Sequence, residues 1–276
     1  MGLKTWLGLK RPNRQGHHAE DAYSPAAVLQ SVEDEQKQQR LRAMLRKLTP
    51  KQAVGVDKVR VGCPYDGGYV MLDDFGGVVV AVSCGVGTNW AWDHEIAERG
   101  IRVRQFDEQS YSDAGGWPLI DFTALRISGS PGAGQATLDE IVAGLNAAPA
   151  TALLKIDIEG AEWDVFELAG DATLSAFSQI VVEFHGLGRA ADDARLSKYE
   201  AAIEQLNRHF QSVHVHGNNH SPFVTVHHVA IPDVLEVTFA SRRRFSFTDS
   251  VETFPTAIDM PNRRFAQDLW LGTFTF

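Results

Sequence analysis

The run Ala152-Leu-Leu-Lys-Ile-Asp-Ile-Glu-Gly-Ala-Glu-Trp-Asp-Val-Phe-Glu167 constrains the chain more than any other stretch. It opens as a short apolar run containing branched side chains, meets Gly160, and then switches to helical spacing at Ala161, Val165, Phe166 and Leu168. The pattern predicts strand, loop, helix. Lys155, Asp157 and Glu159 fall at every second position and so share one side of the strand. Carboxylates at the carboxyl end of a buried strand are costly unless paired or liganded, and open α/β sheets place their ligands at that end. The structural alternatives are that Asp157 caps the following helix and that Lys155 and Glu159 pair at the surface.

A second strand-to-helix switch lies upstream. Val78 to Ser83 is an apolar strand that enters Cys84-Gly-Val-Gly-Thr-Asn89, with a helix over Trp90 to Glu98 stopped by Gly100 and a strand from Ile101 to Phe106 closing on Asp107. Strand, glycine loop, helix, strand, acid is the order of the nucleotide-binding half of a doubly wound sheet. Gly85 and Gly87 let the backbone turn tightly against a ligand, and Asp107 is spaced to meet ribose hydroxyls. Trp90 occupies the third position of the Gly-x-Gly-x-x-Gly fingerprint, which disfavours a dinucleotide.

Ser24-Pro25 starts a helix, or two in succession, running to about Leu48, and residues 1–23 read as a flexible arm. Its basic face (Arg40, Arg42, Arg46, Lys47) is either solvated or a partner surface. Lys58 to Gly62 and Tyr69 to Leu72 flank Asp66-Gly67-Gly68 as a hairpin, with Asp66 either a turn residue or within reach of a ligand. Further strands are expected at Ala124 to Ser128, Phe177 to His185 and Gln211 to Gly217. Helices are expected at Thr137 to Leu145 and Leu196 to Phe210, and Thr225 to Val229 with Val234 to Ala240 form a closing hairpin pair. Residues 247–276 read as a tail packing back on the domain. Three strands end in polar groups: Asp157 with Glu159, Glu183 with His185, and His214 with His216, Asn218 and Asn219. In a parallel sheet these ends converge near the glycine loop.

Charge narrows the partners. Residues 1–50 hold nine Lys or Arg against five Asp or Glu, leaving seventeen against thirty in the remainder. An acidic body repels a phosphate backbone, so nucleic acid is not expected. Cys63 and Cys84 belong to no metal-binding spacing. No stretch approaches the roughly 20 apolar residues of a membrane span, and cytoplasmic residence is expected. Oligomeric state stays open, a homo-oligomer included.

Leu154-Lys-Ile-Asp-Ile-Glu-Gly-Ala-Glu162, with Thr137-Leu-Asp-Glu140 before it and Val182-Glu-Phe-His185 after it, resembles the signature of FkbM-type S-adenosylmethionine-dependent methyltransferases over roughly residues 58–240. The resemblance implies an α/β, Rossmann-like class I methyltransferase sheet, seven-stranded and mostly parallel, over residues 51–276. An arm and helix over residues 1–50 would form an N-terminal extension. It implies S-adenosylmethionine at Gly85, Gly87, Asn89 and Asp107, and methylation of a hydroxyl on a sugar or small natural product. Ser83 and Cys84 stand where the family carries an acid, and Asn89 where it has a third glycine. Because an alcohol holds its proton tightly, a base or a metal must assist. The expected arrangement is Asp157 and Glu183 on Mg²⁺ or Mn²⁺, His185 or His216 as base, and Asn218 orienting the substrate. The competing readings are a catalytically silent cofactor-fold protein binding a partner through its basic helix, and an NAD-dependent oxidoreductase.

Overall fold

The computed structural model describes residues 25–109 and 117–276. The expected arm at residues 1–23 and most of the loop at 109–118 lie outside the described residues. Seven strands form the central sheet: β1 Val80–Cys84, β2 Arg102–Asp107, β3 Ile120–Ala124, β4 Ala152–Ile156, β5 Phe177–His185, β6 Phe210–Gly217 and β7 Val234–Ser241. Their order is β6-β7-β5-β4-β1-β2-β3. All run parallel except β7, which is antiparallel to both β5 and β6. The chain winds outward from β1 to β3 and then returns to β4 on the other side of β1. The crevice beyond the ends of β1 and β4 is therefore the switch point where such sheets bind ligands.

Alternation along each strand separates two faces. Val82, Leu154 and Val182 join one core with helices α1 (Pro25–Arg46), α3 (Leu138–Ala143), α4 (Glu162–Leu168), α5 (Asp171–Ser175) and α6 (Asp193–His209). Ala81, Leu153 and Val181 join the other, beneath α2 (Ala91–Glu98) and the hairpin Lys58–Gly62/Gly68–Leu72. The first helix and the turn after it are built into the larger core through Leu41, Met44, Leu45 and Leu48, all buried. Two cations of its basic face are engaged within the chain, Arg40 with Asp193 and Glu200 and Lys47 with Glu204. Thr137 and Glu140 form a reciprocal capping box at the start of α3.

Two expectations change. The third sheet strand is Ile120–Ala124 rather than Ala124 to Ser128; Arg126–Ile127 pairs instead with Gln135–Ala136. As an edge strand it buries only Ile120, so its apolar signal is weak. The second change concerns the closing hairpin. Phe223–Val226 pairs with Val229–Pro232, and β7 inserts between β5 and β6. Every residue of β7 is buried, which requires a partner on each side. The hairpin turns through His227 and His228 at φ 44° and 62° without the glycine such turns favour, so the sequence carries no turn signal there.

Candidate active site at the sheet's switch point

A cavity of about 680 Å³ opens beyond the ends of β1, β2 and β4. Its floor depends on close backbone approach. A Cβ on Gly85, which sits at φ +72°, would lie 1.6 Å from the Asp157 carbonyl oxygen, so only glycine permits this contact. Asp157 N donates to the Cys84 carbonyl at 3.1 Å and ties the two strand ends together. Gly87, also left-handed, has no atom within 4 Å of where a Cβ would stand. Asp107 closes the glycine loop from β2: its Oδ2 accepts from Val86 N at 2.9 Å and Gly87 N at 3.1 Å, and its Oδ1 from Gln109 N at 3.0 Å. Asn89 also lines the cavity, donating to the Asp66 carbonyl at 2.6 Å and accepting from Ala91 N at 3.2 Å. The first of these bonds draws the Asp66 turn to the cavity, which Asp66 itself lines.

The other wall comes from the motif loop after β4. Glu159 at φ +57° and Gly160 at +104° reverse the chain in a left-handed turn, a conformation that costs a non-glycine residue and clusters at functional sites. Buried Glu162 secures this turn by accepting from Ile158 N at 2.7 Å. The same Oε1 lies 3.1 Å from His185 Nδ1, so Nδ1 is the donor and Nε2 faces outward. Trp163 Nε1 donates to the His185 carbonyl at 2.8 Å, while its indole stacks between Phe184 and Tyr199. Around His185 Nε2 stand Glu183 Oε1 at 3.6 Å, Glu159 Oε2 at 3.7 Å and Asp157 Oδ1 at 3.8 Å, each beyond direct hydrogen bonding.

Electrostatics follow from this crowding. Burial raises Asp157 to about 6, against the opposing charges of Lys155 and His185. Glu183 is pushed well above the usual carboxylate range by burial and then by the Asp157 charge. His185 is driven down by burial, but Glu162, Asp157 and Glu159 outweigh that and lift it to about 9. The described residues thus group Asp157, Glu159 and His185, with one ligand atom from each lying within 4.8 Å of the others. Glu183, expected as a metal ligand, instead spends Oε1 on Asn218 Nδ2 at 2.6 Å.

His216 and Asn218 are placed differently from the expectation. His216 is buried with Nδ1 3.0 Å from Glu236 and Nε2 3.1 Å from Asp268, and these two carboxylates lift it to about 10 against burial. Both nitrogens are occupied, so it is not a free base. Asn218 is closed between Glu183 and the His220 amide. His214 donates to Asp259 at 2.8 Å, and Asn219 bonds backbone of residues 263–267. These groups clamp the tail, whose segment Phe247–Asp249 also pairs with Lys51–Ala53. Sequence reasoning missed Glu162, although it sits in the motif itself. It also missed Tyr69, whose hydroxyl lies 3.4 Å from Asp157 Oδ2.

A seven-stranded sheet in this order, with one antiparallel strand beside the last and a glycine loop at the switch point, is the class I methyltransferase fold. Residues 122–228 match the family model described as the methyltransferase FkbM domain. No curated protein matches the chain in sequence. Among solved structures, it is similar to the 1,6-didemethyltoxoflavin-N1-methyltransferase of Burkholderia thailandensis, with bound 1,6-didemethyltoxoflavin and S-adenosylhomocysteine. That likeness has 14% identity and a TM-score of 0.29, over 84% of this chain and 93% of that chain. A putative sarcosine dimethylglycine methyltransferase from Galdieria sulphuraria is similar at 10% identity and a TM-score of 0.33, over 78% of this chain and 86% of that one. Among the described residues no helix is long and apolar enough to cross a membrane.

Proposed function

We propose that the chain is an S-adenosylmethionine-dependent O-methyltransferase acting on a hydroxyl of a sugar or small natural product. The observation that carries this reading is the meeting of Asp157, Glu159 and His185, from the loop after β4 and the end of β5, beside a cavity closed at its other end by Asp107 and the glycine loop. The volume lies within the roughly 300–1,000 Å³ of small-molecule sites, and open space above Gly87 suits a ligand pressed against the loop. When bound, the cofactor supplies a methyl group on a positively charged sulfur. The chain's own task is to align the acceptor oxygen and take its proton, which an alcohol holds about as tightly as water does.

Asp157 fits the proton-accepting role, because a carboxylate raised to about 6 is ionised at neutral pH yet basic enough to work near it. His185, charged below about pH 9 and fixed by Glu162, would donate to the acceptor oxygen as negative charge develops. The same residues also fit a divalent cation, since oxygen and nitrogen ligands at about 2.0–2.6 Å from a hard ion stand at most roughly 4–5 Å apart. Asp157, Glu159 and a neutral His185 would hold Mg²⁺ or Mn²⁺, which would supply positive charge to acidify the hydroxyl. Trp90 disfavours the oxidoreductase alternative, because its Nε1 donates to the Gly87 carbonyl at 3.0 Å and its bulk sits where a dinucleotide fingerprint needs glycine. Engagement of Arg40 and Lys47 by α6 weakens the partner-binding alternative.

The test is transfer from methyl-labelled S-adenosylmethionine to a panel of sugar and natural-product alcohols, run in EDTA and again with Mg²⁺ or Mn²⁺. Alcohol methylation is expected. Full activity in EDTA selects the Asp157 route, and loss restored by metal selects the cation. Methylation confined to amines overturns the O-transfer reading.

A further inference from the structure

Six acids line the cavity (Asp66, Asp107, Glu108, Asp157, Glu159 and Asp164), and among the described residues only Lys155 and Arg126 bring positive charge to it. The two cations differ. Arg126 follows β3, is largely exposed and stands 4.0 Å from Glu108. Lys155 is buried on β4, and among the described residues its Nζ bonds one acceptor, the Gly85 carbonyl at 2.8 Å, leaving further ammonium hydrogens to donate.

Behind Lys155 lies a polar layer that the proposed chemistry does not use. Ser83 sits in register with both Gln105 on β2 and Lys155 on β4, and the fully buried Asp93 of α2 lies close enough to feel all three. Both Asp93 oxygens, Ser83 Oγ and both polar atoms of the Gln105 side chain are buried without a hydrogen bond of normal geometry. Burial pushes Asp93 up, and the Lys155 charge is the largest influence opposing it. Ser83 and Cys84 stand where the resembled family has its strand acid. Here a carboxyl reaches the same spot from the helix instead.

We propose that Lys155 is the carboxylate-binding cation of the cavity, taking the α-carboxylate of the cofactor's methionine portion, with Asp93 behind it as a positioning residue. The inference rests on the S-adenosylmethionine reading. With ribose hydroxyls at Asp107, the sulfur and its methyl must face the Asp157–His185 wall, and the amino-acid arm leaves that same sulfur. The arm therefore runs to the β1–β4 side, where Lys155 is the only lysine or arginine among the described residues that line the cavity. The His185 imidazolium there is enclosed by Asp157, Glu159, Glu162 and Glu183, while Arg126 lies on the opposite side of β2. An anionic group entering an acid-lined cavity needs such a partner, and a charge-assisted hydrogen bond to a buried ammonium supplies it.

Calorimetric titration of the full chain tests this with three ligands: S-adenosylhomocysteine, its decarboxylated analogue, and 5′-methylthioadenosine, which lacks the amino-acid arm. Lys155→Met is expected to weaken S-adenosylhomocysteine roughly 10- to 100-fold, the worth of one such bond, while both carboxylate-free ligands change less than about 3-fold. Lys155→Arg should retain most of the affinity and serves if the Met variant does not fold. Asp93→Asn should reproduce part of the selective loss. Equal weakening of all three ligands, or none, overturns the assignment to Lys155. Failure of the wild-type chain to bind any of the three overturns the cofactor reading itself.

Discussion

Histidines and carboxylates gather at two neighbouring places along the sheet's polar edge, one at the ends of β4 and β5 and one on β6 and β7. At the first, His185 Nε2 faces three carboxylate oxygens at 3.6–3.8 Å, and two of their residues, Asp157 and Glu159, line the cavity. At the second, His216 is held at 3.0–3.1 Å by Glu236 and Asp268, Asn262 bonds Glu236 and Asp66, and His214 is paired with Asp259. The residue types are the same. What differs is cover: Asp259, Asn262 and Asp268 all come from the tail, which satisfies the second group and shuts it. A polar strand end becomes a site or a clamp according to whether another segment of the chain supplies its partners.

The sharpest way to break this comparison is to remove one group from each place. Asp157→Asn is expected to reduce methyl transfer by about 10³-fold, within the usual range for a general base, while S-adenosylhomocysteine affinity and the urea midpoint stay close to wild type. His216→Phe should do the reverse. It leaves Glu236 buried beside a neutral ring, and stripping one partner from a buried ion pair costs about 3 kcal/mol, read as a lowered urea midpoint with transfer retained. If His216→Phe abolishes transfer in protein that remains fully folded, the clamp assignment fails.

Much of the first place is legible in the sequence alone. Period-two and helical spacing around Gly85 and Gly160 mark the two strand-to-helix switches, and these define the crevice. The strand ends of β4 and β5 meet as expected, because parallel neighbours bring their carboxyl ends together. His216 misleads because a strand end identifies a side chain's position and face but not what later packs over it, and its partner Asp268 lies far along the chain in the tail. Glu162 escapes notice for a related reason: acids in a first helical turn are ordinary, and only the left-handed turn at Glu159 folds Ile158 N and His185 onto this one.

A smaller and reversible effect should come from pH at the clamp. His216 is raised to about 10 in the folded chain from about 6.5 when unfolded, so its contribution is fully present below pH ~6.5 and is lost as pH rises through about 10. Asp259, held at about 2 against burial by the His214 and Thr256 hydrogen bonds, contributes above pH ~3.9 and loses that contribution as pH falls through about 2. His214, held below its ordinary value by burial, contributes above pH ~6.5 and loses that contribution as pH falls. Hydrogen exchange across residues 254–272 should therefore be slowest, after correction for intrinsic rates, near pH ~6.5 and should quicken selectively toward pH ~10. Protection that is flat across this range would remove His216 from the clamp.

The smallest effect separates buried from exposed charge. Arg40 contacts Asp193 and Glu200 on α6, much as His216 contacts Glu236 and Asp268, but its side chain is 35% exposed and water screens the pair. Arg40→Ala should cost only about 0.5 kcal/mol in urea unfolding, and most of that should vanish in ~1 M salt, where charges separated by more than a few ångströms are screened. The first helix then stays docked through Leu41, Met44, Leu45 and Leu48, whose burial does not depend on the ion pair. A salt-insensitive loss comparable to that of His216→Phe would mean that Arg40 orders α1 against α6, and that charge at this surface does the structural work assigned here to apolar packing.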